Sequence, residues 1–369
     1  MRRRSFIGAG VGALSFGALA GCTGNGSEDG GNGSDGSGDP TSTDGEDPTS
    51  TDGDGLHDGV YVQRFTDGMA MQGAAEAGDL RVAVMYSAPH RFFRMIGDER
   101  KPAAVEDGDS LHLMATVWEP ETGTVVPETG LSVEIAPEGG AFDEQVIYPM
   151  LSQPMGFHYG ANFALDGDGE YTVRVTVGGT SVRRTGAYRG RFGEAASITI
   201  PFEYSAGARD EIPVKRTPEQ AGERDAPSVM SMMEMPLGVA ADPSSLPGEH
   251  RGTAESGDAR LAVVTLEAPP AGVDGEGPYL AVSARTPYNG LVIPMMQLAG
   301  TIRRGGETVF DGRLPRTFDD RLGYHYGAVV GGVESGDELT VGVRTDPQVA
   351  RHEGYETAFL DMPEASLTL

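Results

Sequence analysis

The residues with most chemical promise in this 369-residue chain are two histidines and a pair of methionines. Leu111, Leu113, Ala115 and Val117 alternate with His112, Met114, Thr116 and Trp118. On a strand, that period turns the first set to a core and aims His112 and Met114 together from the other face. Further on, the stretch Tyr148–His158 carries Met150, Met155 and His158. Imidazole suits copper, iron, nickel and zinc, and a thioether favours Cu(I). The chemistry this set could perform is the capture of a soft or borderline transition-metal ion. His90, in Ala88-Pro89-His90-Arg91, could be a further ligand from a loop, whereas Met155 reads as core filler.

His158 stands out because its surroundings are written twice. Gly156-Phe157-His158-Tyr159-Gly160-Ala161 returns 167 residues later as Gly323-Tyr324-His325-Tyr326-Gly327-Ala328. The same offset holds without a gap back to Leu113 and Leu280, through Pro120 and Pro287, Val125 and Val292, and Leu131 and Leu298. The chain is therefore internally duplicated. The elements that position these residues read as strands. Leu80–Val84 and Ala259–Val263 each follow a Gly-Asp pair, Tyr171–Val177 alternates, and Ser197–Ile200 has its partner in Ser366–Leu369. Short period-two runs between Gly, Pro and Asp turns predict an all-β protein of two tandem immunoglobulin-like antiparallel β-sandwiches.

The N-terminus reads as residues 1–22 of a twin-arginine lipoprotein signal: Arg3-Arg4-Ser5-Phe6-Ile7, a short apolar run, then Leu19-Ala20-Gly21-Cys22. Cys22, the only cysteine, is the expected lipidation site, so no disulfide framework exists. Residues 23–58 read as an acidic Gly/Ser/Asp tether with almost no apolar residues. Residues 59–205 form the first expected domain, 206–227 a polar, proline-bearing linker and 228–369 the second repeat. These features predict a protein on the extracytoplasmic face of a membrane, anchored through lipid at Cys22.

The net charge of −27 lacks the basic footprint that nucleic acid requires. An acidic, lysine-poor chain is similar to proteins of salt-loving archaea, whose self-repulsion is screened at high salt. A hydrolytic enzyme finds no support: there is no cysteine nucleophile, Gly-x-Ser-x-Gly elbow, His-Glu-x-x-His pair or phosphate-binding glycine loop. Methionine-dense Met230-Ser231-Met232-Met233-Glu234-Met235 and Met69-Ala70-Met71 read as packing, or as a route for Cu(I).

The run Met150…His158-Tyr159-Gly160-Ala161-Asn162, with His112-Leu113 on an earlier strand, resembles the periplasmic Fe2+ transport lipoproteins. The resemblance implies small, dimeric, immunoglobulin-like metal binders that work beside a membrane iron permease. It covers residues 109–202 well and the second copy more weakly. Residue by residue, it implies His112, Met150 and His158 as ligands, with one residue more between the last two than in the family. Met114 stands in place of a glutamate, which softens the site. The family's late histidine after an arginine is absent from the first copy, where Val182-Arg183-Arg184-Thr185 stands, but resembles Arg351-His352 of the second. In the second copy Tyr279, Ala281 and Thr317 replace His112, Met114 and Met150, while His325 is kept. Two readings follow: the repeats pack as an intramolecular pseudo-dimer and His352 reaches across to the first site, or the second copy is a scaffold with His325 structural. The function implied is metal binding in iron uptake with a permease, with copper and/or iron bound. The alternative is a metal-free envelope scaffold.

Overall fold

The computed structural model describes residues 57–230 and 235–369. The signal, Cys22 and almost all of the tether lie outside them, as do residues 231–234 of the methionine cluster. The first repeat is built from β1 (Phe65–Asp67), β2 (Ala70–Ala77), β3 (Leu80–Ser87), β4 (Phe92–Ile96), β5 (Glu99–Ala103), β6 (Asp109–Glu119), β7 (Thr124–Val125), β8 (Leu131–Pro137), β9 (Asp143–Gln145), β10 (Tyr148–Ser152), β11 (Gly156–Ala164), β12 (Gly169–Val177), β13 (Arg183–Thr185) and β14 (Ala196–Tyr204). A short helix, α1 (Ala206–Asp210), and β15 (Val214–Arg216) follow. The second repeat comprises β16 (Glu249–Ser256), β17 (Ala259–Leu266), β18 (Tyr279–Arg285), β19 (Gln297–Arg304), β20 (Glu307–Leu314), β21 (Arg316–Asp319), β22 (Gly323–Val329), β23 (Glu338–Thr345), β24 (Ala350–Arg351) and β25 (Ala365–Thr368).

The all-β reading holds: each repeat is a sandwich of a larger and a smaller sheet. In the first, the sheet β2-β3-β6-β11-β10-β24-β4-β5 faces β14-β12-β8-β9; in the second, β13-β21-β22-β18-β17-β16 faces β20-β19-β23-β25. Period-two burial explains the outer sheets. Tyr171, Val173, Val175 and Val177 of β12, and Ile198, Ile200, Phe202 and Tyr204 of β14, are buried while their neighbours are not. One apolar core runs through both repeats, and Tyr188 of the first stacks on Phe318 of the second at 4.7 Å between centroids.

Two strands leave the antiparallel pattern. β24, from the end of the second repeat, lies parallel to β10 with Met150 opposite Ala350. β13, from the end of the first repeat, lies parallel to β21 with Arg183 opposite Thr317. Each repeat thus lends a strand to the sheet of the other, at equivalent places in the duplicated sequence.

The segment expected as a plain linker is also partly structured. The side chain of Ser205 caps α1 by accepting from the backbone N–H of Ala208. β15 then pairs with β1 as a two-stranded ribbon in which Thr66 faces Lys215.

Candidate metal centre

The site lies on the face of the larger sheet that looks away from the sandwich core. Alternation along β6 sends Leu111 and Leu113 into the core and His112 and Met114 to this face. Along β11 it does the same for His158, Gly160 and Asn162. Cross-strand register then sets Asn162 against His112, Gly160 against Met114 and Met150 against His158. This second face is not open: His112 is 0% exposed and His158 1%. The loop carrying His90 and the start of the segment after β24, where the His352 N–H bonds the Leu151 carbonyl at 3.2 Å, cover it.

Each imidazole is fixed through one nitrogen. Nδ1 of His112 meets Oδ1 of Asn162 at 2.8 Å, and the Asn162 amide in turn donates to the His90 carbonyl at 3.1 Å. Nδ1 of His158 donates to the Gly156 carbonyl at 3.0 Å, and Nδ1 of His90 to the Ala88 carbonyl at 3.0 Å. With Nε2 of His90 as acceptor, His352 donates to it through Nδ1 at 3.0 Å. That leaves Nε2 of His352 bare, 3.2 Å from the Met150 sulfur. Nε2 of His112 and of His158 are buried with no partner.

Nitrogens of His90, His112 and His352 lie within 4.8 Å of one another. The His352 ring sits 5.5 Å from His112 and 5.3 Å from His158 by centroid. Burial first, then repulsion among neighbouring imidazoles, holds His112 and His352 well below the usual histidine range; burial brings His158 down to about 4. At neutral pH these three rings are uncharged and carry free lone pairs. The buried, unpartnered Nε2 atoms of His112 and His158, with the His352 Nε2 beside the Met150 thioether, are a donor set that fits a copper-class or similar transition-metal ion.

Of the residues singled out from sequence, the structure gathers His112, Met150, His158 and His352 here, with His90 beside them. Met114 shares a cavity with His158 and His352 on one side of the cluster. His325 is placed differently. Its Nδ1 donates to the Gly323 carbonyl and its Nε2 meets the Tyr279 hydroxyl, each at 3.0 Å, so both nitrogens are spent and it stands apart from the cluster. At that equivalent spot lies the guanidinium of Arg183, brought in by β13. It donates to the Tyr279 hydroxyl at 2.8 Å, to Thr317 Oγ1 at 2.7 Å and to the Gly327 carbonyl at 2.7 Å. A fixed positive charge occupies the second repeat where the first gathers lone pairs. Arg183→Ala should cost about 2 kcal/mol, because Gly327 and Thr317 lose a charged donor. A lowered denaturant midpoint with unchanged metal uptake would establish this; an unshifted midpoint would refute it.

Asn162 carries a role that the motif contained but did not disclose. It shares a face with His158 and orients His112. Its equivalent in the second repeat is Val329, where Tyr279 has no second nitrogen to hold. The methionine pair flanking the undescribed segment packs as apolar residues do: Met235 is buried in the core and Met230 lies against it.

Histidine 325 yields a pH signature independent of any metal. Burial lowers its pKa to about 4 in the folded protein, against about 6.5 unfolded. The unfolded chain therefore takes the proton more readily. The stability that this group confers is complete above pH 6.5 and drains away as pH falls toward 4, at roughly 1.4 kcal/mol per unit. In metal-stripped protein, His325→Gln should flatten the stability profile between pH 7 and 5 by about 2 kcal/mol. Parallel profiles for the two proteins would rule it out.

Comparison with known proteins gives three findings. A family model described as a domain of unknown function, DUF7350, matches residues 244–368, most of the second repeat. No curated protein matches the chain. Among solved structures, a copper-bound variant of FetP from uropathogenic Escherichia coli is similar at 19% identity, covering 37% of this chain and 97% of that one, with a TM-score of 0.30. FetP as isolated from the E. coli periplasm is similar at 18% identity, with 37% and 96% covered and the same TM-score.

Proposed function

We propose that this protein binds a transition-metal ion, copper or iron, outside the cytoplasm and takes part in iron uptake beside a membrane permease. The observation that carries the metal reading is the gathering of His90, His112 and His352 nitrogens within 4.8 Å, with the unpartnered Nε2 of His158 and the Met150 sulfur beside them. Unpartnered polar atoms in a protein interior cost about 1–3 kcal/mol each, and a cation would satisfy several at once. Copper bound there would supply one-electron chemistry toward iron. The chain's own residues hold the ion, fix the ring orientations through Asn162 and the backbone, and keep bulk water out. His352 makes the site a product of both repeats, as in a dimer fused into one chain. The signal-like N-terminus and Cys22 supply the membrane anchor in this reading, and the sequence resemblance supplies the permease.

Elemental analysis of protein produced without a histidine tag tests the metal reading. We expect one copper or iron ion per chain, and loss of it in a His112→Ala/His158→Ala variant of unchanged circular dichroism. Metal-free protein that binds neither ion in titration would leave the scaffold reading in its place.

A further inference from the structure

A cavity of about 130 Å³ opens beside the metal centre, and carboxylates, thioethers and imidazoles line it together. Asp67 and Glu353 contribute carboxylates. The half-buried thioether of Met69 lies along it, and the sulfurs of Met155 and Met114 belong to residues only 3% exposed. His90, His158 and His352 lie along it as well. The three methionines come from separate places: the turn after β1, the turn between β10 and β11, and β6. Phe65, Pro89, Pro154 and Val214 supply apolar wall, the last from the β15 ribbon that roofs it.

We infer that this cavity is a loading vestibule that admits a soft monovalent cation, Cu(I), through the thioethers of Met69, Met155 and Met114 to the histidine cluster. The inference rests on the metal-binding reading above and specifies the ion that is taken up. The carboxylates of Asp67, 3.7 Å from His90, and of Glu353 draw in any cation, as the net charge of −27 does at longer range. Selection rests on the sulfurs and the apolar wall. A divalent ion that sheds water between apolar walls and neutral sulfurs recovers little of its hydration energy, whereas Cu(I) binds thioethers strongly and needs few ligands. Methionine's flexible side chain lets sulfur follow a moving ion. The ion enters and remains Cu(I), so no electron is transferred.

The test measures stopped-flow transfer of Cu(I) from its bicinchoninate complex to the full chain. Met69→Leu/Met155→Leu preserves volume and touches none of the proposed histidine ligands. We expect the transfer rate to fall tenfold or more, with final occupancy changed less than twofold; an unchanged rate overturns the vestibule. A second measurement separates this outcome from failure of the metal centre itself. Ag(I) is titrated into His112→Ala/His158→Ala protein carrying 13C-methyl methionine. Shifts of the Met69, Met114 and Met155 methyls, with that of core Met85 still, sustain the vestibule even where the histidine site does not bind. Unmoved methyls of those three overturn it, whether or not wild-type protein takes up copper.

Discussion

His352→Ala is expected to weaken metal binding by at least about 100-fold, close to 3 kcal/mol, although residue 352 lies some two hundred positions from its partners in sequence. Three contacts set this expectation. The ring donates to His90, presents its other nitrogen 3.2 Å from the Met150 sulfur, and lies 5.3 Å by centroid from His158. Its removal takes one donor outright and frees His90 from its partner. The backbone should hold, because the His352 N–H still bonds Leu151 and β24 still lies parallel to β10. A competition titration with a chelator of known affinity, beside a denaturation curve, checks both halves. Unchanged affinity would mean that the second repeat contributes no ligand and serves as scaffold alone.

The parts of this molecule that were legible in sequence are those governed by local period. Alternation along residues 111–118 and 171–177 specifies strands and faces, and the 167-residue offset reveals two copies of one sandwich. The pairing of His112, Met150 and His158 follows from strand neighbours within one sheet. What local pattern does not contain is the reciprocal exchange. β24 is two residues long and β13 three, too short for any periodicity, and their parallel pairing is decided by packing between repeats. His352 therefore entered as one of two equal readings. Arg183 entered only as a missing histidine, with no hint that its guanidinium fills the second repeat's equivalent place. His325 illustrates the reverse error: a repeated motif suggested a repeated role. The substitution of His112 by Tyr279 had already removed the lone pair that His325 would have shared, and the hydroxyl took its nitrogen instead. His90 shows how loops escape such reasoning, since nothing in Ala88-Pro89-His90 foretells where the chain folds back. Burial of both faces of the large sheet was equally hidden, because the covering comes from the His90 loop and the distant segment after β24, and alternation alone predicts one wet face.

Gly160→Ala is expected to abolish metal binding, a loss of about 100-fold or more, while the fold survives. Gly160 lies on β11 between His158 and Asn162, facing the site, and its backbone is not in the left-handed region that favours glycine. The requirement is one of space. A methyl group there would stand 2.8 Å from His112 Nε2 and 2.9 Å from the Met150 sulfur, between two of the proposed donors. The Met150 side chain can swing away, but the His112 ring is tied by Asn162, so the added carbon must push the two donors apart or take the ion's room. Overpacking of this kind costs about 1–3 kcal/mol of stability. Gly327, its counterpart, faces the Tyr279 hydroxyl and the Leu280 carbonyl instead. Gly327→Ala should therefore destabilise at least as much and leave metal affinity alone. The contrast between the two variants isolates the site from the fold. Equal metal binding by Gly160→Ala and wild-type protein would show that the ion, if held, is not held between His112 and Met150.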